Sequence, residues 1–218
     1  MSATAIELPL FPLNVVLFPG MVLPLHIFEP RYRQMITECY EENKPFGVVL
    51  AQPSSVHMNE VPYPVGTMAE IRDLTRLEDG RFTLMAMGTQ RFHILSQHHE
   101  KPYLSGVVEL YEDDEEPIKD VEYHARQAYE LFNSYVELLL EAANQQDLQT
   151  TLPEMGEDLS YFIAYFLDIQ DEEKQRFLEM TSTCQRLQEE VVILRREVPF
   201  LRQMLLKKSV DDDRSMLN

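Results

Sequence analysis

The chain has 218 residues, of which 44% are hydrophobic, and a formal net charge of −18. Residues 1–117 and 118–218 share the acidic excess, so neither half has the clustered Lys and Arg that nucleic acid or an anionic membrane surface requires. The two cysteines, Cys39 and Cys184, form no CxxC pair; they predict neither a disulfide framework nor a cysteine-rich zinc site, and they fit a reducing, cytoplasmic compartment.

The first feature along the chain is an uncharged run over residues 8–25, long enough to span a membrane. Proline excludes a continuous helix there, because the run contains Pro9, Pro12, Pro19 and Pro24. A secretory signal would need a basic start, and the first basic residue is Arg31. The run therefore predicts two strands, over 13–18 and 21–28, joined at the turn dipeptide Pro19-Gly20.

The rest of the N-terminal half is predicted to be rich in strands. A helix over 30–43 is followed by a strand over 46–51 and a loop over 52–65. Asp79-Gly80 between two alternating stretches predicts a hairpin, with Gly88 as a break or bulge. Further strands over 91–95 and 103–111 complete a small closed or nearly closed barrel.

The acidic segment 112–117 (EDDEEP) marks a change to helical periodicity. Long apolar stripes predict helices over 121–139 and 159–167, and a short charged helix covers 171–180. Ser182 and Gln185 form a capping box for a last helix that ends near residue 208. The predicted fold class is α+β, with a β-barrel over 1–115, a helical bundle over 116–208 and a frayed tail over 209–218.

The residue pattern resembles the N-terminal substrate-recognition domain of the Lon ATP-dependent protease family. The motifs that carry this resemblance are LPLFPLNVVLFPGMVLPLHIFEPRYRQMI near the start, VGTMAEI, LEDGRFTLMAMGTQRFHI with G-x-x-R-x-x-I over 88–94, and LPEMGEDLSYFIAYFLDIQDEEKQRFLEM in the second half. The resemblance spans roughly residues 7–208. It implies a PUA-like barrel, similar to that of pseudouridine-synthase-associated RNA-binding domains, and a role in recognising proteins.

Motifs for catalysis are missing from the sequence. No glycine is followed by lysine, as the ATPase motif GxxxxGK[ST] requires, and neither HExxH nor GxSxG is present. The sequence therefore predicts a non-enzymatic protein with no catalytic residue, no cofactor and no metal site. A label of ATP-dependent peptidase would come from the whole Lon protein rather than from these residues.

The corner HIFEPRYR and the hairpin methionines are the candidate polypeptide-binding residues. Phe28, Arg31 and Tyr32 lie at the end of a predicted strand, where the aromatic rings could stack on an extended peptide. Met85 and Met87 share one face of a hairpin strand, and flexible thioethers suit promiscuous apolar surfaces. A structural alternative remains for both groups, with Glu29 pairing with an arginine at the corner and the methionines filling a core.

The last helix carries an apolar seam that steps by four and three residues. Its members are Leu187, Val191, Leu194, Val198, Leu201 and Leu205. The seam could cap the bundle, or it could dock a second copy in a homodimer or another protein.

The predicted function is a recognition module that binds exposed apolar segments of unfolded or client polypeptides, as an adaptor in protein quality control or proteolysis. One alternative is an accessory part of an ATP-dependent peptidase system, with a protease or ATPase as partner. Another is nucleic-acid binding through the PUA-like barrel, which the charge balance disfavours. No membrane partner is expected.

Overall fold

The computed structural model describes residues 5–53, 61–145, 151–154 and 156–216, and over 208–216 it describes the backbone alone. Six strands and five helices follow one another along these residues. The elements are β1 Ile6–Leu13, β2 Val22–Ile27, α1 Pro30–Glu41, β3 Phe46–Leu50, β4 Val65–Arg76, β5 Phe82–His98, β6 Ser105–Leu110, α2 Ile118–Ala142, α3 Gly156–Phe166, α4 Asp171–Glu179 and α5 Thr183–Met216. The α+β class that the sequence predicts is confirmed.

The strands form one mixed sheet in the order β2-β5-β4-β3-β1-β6, and β5 also pairs with β6. The pairing therefore runs from β5 through β4, β3, β1 and β6 back to β5. Strand β2 pairs only with β5 and lies at an edge outside this circuit, so the six-stranded sheet is barrel-like, in line with the predicted closed or nearly closed barrel. An edge strand has main-chain groups that no second neighbouring strand pairs.

The predicted strand over 13–18 is wrong, because β1 occupies Ile6–Leu13 in spite of two prolines. Both prolines lie where their missing N–H faces no neighbouring strand. Pro9 faces the β3 side before the β1–β3 ladder begins, and Pro12 faces the β6 side after the β1–β6 ladder has ended. The strand over 21–28 is confirmed as β2 to within one residue at each end.

The β4–β5 hairpin is confirmed around Asp79-Gly80. Gly80 has a φ of 79°, and its N–H donates to the Leu77 carbonyl at 2.9 Å. The ladder shifts register between the pairs of Thr67 and Ala69, where Ala69 pairs with Gly88, so the bulge predicted at Gly88 is also present. Strand β5 continues through this bulge to His98 and replaces the two shorter strands that the sequence predicts.

Contacts between Cα atoms divide the chain into two compact units. The sheet unit contains residues 1–113 and 164–181, and the helical unit contains residues 114–163 and 182–218. The sheet unit has two apolar clusters, one that includes α1 residues such as Met35 and one that includes Leu8 and Phe92. The domain boundaries predicted from the sequence, 1–115 and 116–208, stay a prediction.

The helical unit is built on α2 and α5, with residues of α3. Phe132 of α2 packs edge-on against Phe162 of α3, with ring centroids 5.9 Å apart. The Gln185 N–H donates to the Ser182 hydroxyl at 3.0 Å, which confirms the predicted cap of the last helix. That helix continues to Met216, beyond the end predicted near residue 208, because no proline or glycine follows Pro199. Among the described residues, no helix combines the length and apolar character needed to cross a membrane.

Candidate polypeptide-binding surface

Several exposed apolar side chains of the sheet unit lie together on one face of β2 and β5. Alternation along a strand places every second residue on the same face. On this face the directly opposite pairs are Val22↔Met87, Pro24↔Met85 and His26↔Thr83. We call Val22, Pro24, His26, Phe28, Met85 and Met87 the β2–β5 face.

Exposure distinguishes this face from the other side of the same strands. Phe28 is 59% exposed, and Val22 and Met85 are each 40% exposed. Leu25 and Ile27 of β2 point the opposite way and pack with the apolar cluster of α1. The apolar side chains of the β2–β5 face are therefore not part of the core of the sheet unit.

The corner after β2 separates the predicted aromatic residues. Phe28 points to solvent, with its ring centroid 6.0 Å from that of His26. Tyr32 is buried instead, with its ring centroid 4.1 Å from that of Phe11. Arg31 lies over the Tyr32 ring at 4.3 Å and donates to Glu29 at 2.9 Å, so the ion pair of the structural alternative forms. Of the two aromatic corner residues, Phe28 exposes its ring to solvent and Tyr32 does not.

The outer edge of β2 carries main-chain groups that β5 does not use. The Gly88 N–H donates to the Met21 carbonyl at 2.8 Å, so the alternate residues Val22, Pro24 and His26 turn their main-chain groups outward. The Tyr165 hydroxyl donates to the Val22 carbonyl at 3.3 Å. Pro24 has no N–H to offer, which limits continuous strand pairing at this edge.

A surface ion pair borders the apolar side chains on β4. Glu70 lies opposite Met87 and Arg72 lies opposite Met85 in the β4–β5 ladder. The Arg72 guanidinium donates to Glu70 at 2.5 Å, and both side chains are about half exposed. An apolar centre with a charged border is the arrangement found at protein-binding surfaces.

The predicted seam on α5 lies mostly in the core of the helical unit. Leu187, Val191, Leu194 and Val198 are buried, and Leu201 and Leu205 are half buried. The exposed apolar residues of α5 occupy other positions, which the sequence pattern did not single out: Val192, Phe200, Met204 and Leu206. Heptad spacing therefore identified the face of α5 that packs in the core. The four exposed apolar residues do not recur at a regular interval along the helix.

The two thiols are poorly suited to nucleophilic catalysis. Burial raises the pKa of Cys39 to about 11, and burial with a hydrogen bond to Glu116 raises the pKa of Cys184 to about 11. Both thiols therefore stay protonated at neutral pH. No cluster of three or more His, Cys, Asp or Glu side chains suited to a metal ion occurs within the part of the chain that the structure describes.

Comparison with known proteins finds relatives that are Lon proteases. Lon protease 2 of Herpetosiphon aurantiacus is 27% identical over 203 residues, which cover 92% of this chain and 25% of the relative. Lon protease of Anaeromyxobacter dehalogenans is 30% identical over 204 residues, which cover 89% of this chain and 24% of the relative. The chain thus spans about a quarter of the length of the curated relatives that it matches.

The fold and the family model agree with these relatives. The crystal structure of a Lon N-terminal domain protein from Xanthomonas campestris has a TM-score of 0.65 and 26% identity, and the match covers 86% of this chain and 98% of that one. The N-terminal domain of Mycobacterium avium complex Lon protease shares the fold, with a TM-score of 0.63 at 18% identity over 86% of this chain and 97% of that one. The family model for the ATP-dependent protease La (LON) substrate-binding domain matches residues 7–196. The resemblance noted in the sequence is confirmed, and the chain belongs to this substrate-binding domain family.

Proposed function

We propose that this protein recognises other polypeptides by binding their exposed apolar segments on the β2–β5 face. The observation that carries the proposal is the exposure of Phe28, Val22 and Met85 on one face of adjacent strands. Membership of a substrate-binding domain family supports it. A side chain on this face loses contact with water only when a partner covers it.

The proposed mechanism is burial of apolar surface without covalent chemistry. Each Å² of apolar area removed from water contributes roughly 25 cal/mol, and the ordering of both chains offsets much of that gain. The unbranched side chains of Met85 and Met87 can adopt several rotamers, so the face can fit clients of different sequence. The net charge of −18 opposes association between copies of the chain through this surface.

Fluorescence anisotropy with a permanently unfolded protein tests this function. The probe is reduced, carboxymethylated α-lactalbumin labelled with a dye, and the full chain is titrated into it. We expect binding that Phe28→Ser and Met85→Thr each weaken at least fivefold, because each change removes exposed apolar area and leaves the core intact. A titration with serum albumin in place of the chain gives the non-specific level.

The matched control is Phe200→Ser on α5. Phe200 is 55% exposed, close to the 59% of Phe28. The two variants therefore remove a similar apolar surface, one from α5 and the other from the corner after β2. We expect Phe200→Ser to bind the unfolded α-lactalbumin with the affinity of the unmodified chain. Loss of binding in this variant alone would move the site to α5, and affinity no higher than that of serum albumin would contradict client binding altogether.

We also propose that the clients pass to an ATP-dependent peptidase, with this chain as its adaptor or accessory part. The relatives that support this second proposal are Lon proteases, of which the chain matches about a quarter. Degradation of labelled casein by a separate ATP-dependent peptidase should accelerate when the chain is added. An unchanged rate with and without the chain would contradict delivery while leaving client binding intact.

A further inference from the structure

A pocket on the sheet unit lies apart from the β2–β5 face. Its volume is about 310 Å³, and its lining comes from the start of β1, the end of α1 and the segments that precede β3 and β6. Pockets that hold small molecules begin at about 300 Å³. Its walls include both main chain and charged side chains, in contrast to the apolar β2–β5 face.

The main chain of Glu7 forms an open edge at this pocket. The Leu10 N–H donates to the carbonyl of Leu104, the residue before β6, at 2.8 Å, which fixes the side of β1 that faces β6. Alternation along β1 then turns the main-chain groups of Glu7 and Pro9 away from β6. On that side the first β1–β3 pair is Leu10↔Gly47, so the Glu7 N–H and C=O have no neighbour among the described strands.

The charged side chains around the pocket leave one carboxylate available. The ammonium group of Lys101 lies 3.1 Å from Glu38, and that of Lys44 lies 2.6 Å from Glu42. The Tyr103 hydroxyl also donates to Glu38, which helps to lower the pKa of that carboxyl. Glu7 is exposed and has no salt bridge to any residue that the structure describes. The pocket therefore has an excess of one negative charge beside an open strand edge.

We propose that this pocket binds a short extended polypeptide segment with a basic side chain, which adds to β1 at Glu7 as a further strand. One residue of the segment exchanges two main-chain hydrogen bonds with Glu7, as in other cases of strand addition. The side chain of that residue lies on the same face as the Glu7 carboxylate, within reach of an opposite charge. This site goes beyond the proposed function, because it selects charge and extended backbone rather than apolar surface.

Two matched peptides test the inference on the full chain. The first probe is fluorescein-labelled Thr-Val-Lys-Val-Thr with an amidated C-terminus, and the second has Glu in place of the central Lys. We expect the Lys peptide to bind at least tenfold more tightly, and its affinity to fall as salt is raised. Equal affinity for both peptides, or no binding of the Lys peptide at millimolar concentration, would overturn the proposal.

Two substitutions of Glu7 separate charge from main chain. Glu7→Gln removes the carboxylate and should weaken the Lys peptide about fivefold. Glu7→Pro also removes the N–H, which faces away from β6, so the β1–β6 ladder stays intact while binding of the peptide is lost. Circular dichroism establishes that both variants are folded, and protection of the Glu7 amide from hydrogen exchange in the complex reports strand addition directly. If Glu7→Pro bound the Lys peptide with the affinity of the unmodified chain, the proposed strand addition at Glu7 would be overturned.

The control variants keep this site distinct from the β2–β5 face. Glu109→Gln removes a half-exposed carboxylate on β6 and should leave the affinity for the Lys peptide unchanged. Phe28→Ser should leave it unchanged as well, although the same change weakens the unfolded-protein probe. Loss of Lys-peptide binding in Phe28→Ser would place the peptide on the β2–β5 face and overturn the proposal.

Discussion

The sheet unit and the helical unit each bury an arginine, but they differ in how the buried charges are satisfied. In the sheet unit the Arg91 side chain is 2% exposed, and its guanidinium pairs with Asp113. The same group donates to the carbonyls of Leu178 and Met180 at 2.6 and 2.7 Å, and it lies 4.9 Å from the centre of the Tyr111 ring. The carbonyls belong to the end of α4 and the residue after it, where a helix favours positive charge.

In the helical unit, Arg186 has hydrogen-bond partners, whereas the carboxylate of Glu190, one turn away, has none among the described residues. Arg186 donates to Ser160 at 2.5 Å and to Thr183 at 3.1 Å, and it stacks 4.1 Å from the centre of the Tyr161 ring. Glu190 is fully buried, and neither of its carboxylate oxygens has a hydrogen-bond partner within the described residues. Burial therefore raises the pKa of Glu190 well above its usual range, while the charge of Arg186 acts in the opposite direction.

The comparison of Arg91 with Glu190 shows that a buried charged group stabilises the fold when it is hydrogen-bonded and destabilises the fold when it is not. Arg91 holds the end of α4 on the sheet because its guanidinium donates hydrogen bonds to the carbonyls of Leu178 and Met180. Glu190 costs free energy when it ionises, because no hydrogen bond replaces its lost water. The two units should respond in opposite ways when their buried charge is removed.

Replacement of Arg91 with methionine should give the largest effect. Arg91→Met leaves the Asp113 carboxylate and two carbonyls buried without the guanidinium, so we expect a loss of about 3–5 kcal/mol in the free energy of unfolding. Urea denaturation followed by circular dichroism measures this loss. Hydrogen exchange should show that the amides of α4 lose protection first.

Arg72→Met is the matched control for this change. Arg72 also pairs with a carboxylate, at 2.5 Å, but its side chain is 59% exposed. An exposed pair contributes about 0–1 kcal/mol, so the control should unfold close to the unmodified chain. Similar losses in the two variants would show that the buried network around Arg91 has no special role.

Replacement of Glu190 with glutamine should have the opposite sign. The folded pKa of Glu190 lies above its ordinary value of 4.5, so the folded state is favoured while the carboxyl is protonated. This contribution is present at low pH and is lost as the pH rises through the folded pKa. Glu190→Gln cannot ionise, and we expect it to stabilise the helical unit at alkaline pH by about 1–2 kcal/mol.

A thermal denaturation series over pH measures the Glu190 effect. The unmodified chain should lose stability as the pH rises from the ordinary carboxyl pKa of 4.5 toward the raised folded pKa, and Glu190→Gln should lose less of it. Glu189→Gln, a change at the neighbouring, only partly buried residue, serves as control and should follow the unmodified chain. Parallel pH curves for all three proteins would contradict an ionisable, unsatisfied Glu190.

Residue patterns predicted those elements whose alternation or helical spacing is complete. The β4–β5 hairpin, α1 and the cap at Ser182 follow from local sequence and agree with the structure. The first strand was misplaced because apolar content favoured 13–18, whereas the ladder positions of Pro9 and Pro12 depend on where β3 and β6 begin and end. Leu17 is held instead by the Thr67 hydroxyl, which donates to its carbonyl at 2.6 Å across 50 residues of sequence.

The candidate sites show the same limit. Phe28 and Met85 could be named from sequence because each lies in an alternating or corner pattern. The open edge at Glu7 could not, because it exists only where β3 starts later than β1. Arg186 and Glu190 lie beside the apolar seam of α5, outside the a and d positions of a heptad pattern. Both are nevertheless buried in the helical unit, where Arg186 contacts Ser160 and Tyr161 of α3.

The smallest expected effect concerns Tyr103, which joins the buried part of the sheet unit to the charged pocket. Tyr103→Phe removes the hydroxyl that donates to Glu38 and accepts from Lys101 at 2.8 Å. We expect a loss of about 0.5–1.5 kcal/mol in the free energy of unfolding, as for one hydrogen-bonded group. The ring itself remains in place and continues to fill the apolar cluster.

The protonation of Glu38 separates a lost hydrogen bond from lost packing in this variant. The hydrogen bond from Tyr103 is the largest cause that lowers the pKa of Glu38, so Tyr103→Phe should raise that pKa toward its ordinary value. A carboxyl whose pKa is lowered by folding stabilises the folded state at pH values above its pKa in the unfolded chain. This stabilisation is lost as the pH falls through the folded pKa. The variant should therefore be less sensitive to acid through this group. NMR titration of the Glu38 carboxyl measures the change, and an unaltered pKa would mean that Lys101 and Gln34 alone hold the carboxylate in its charged form.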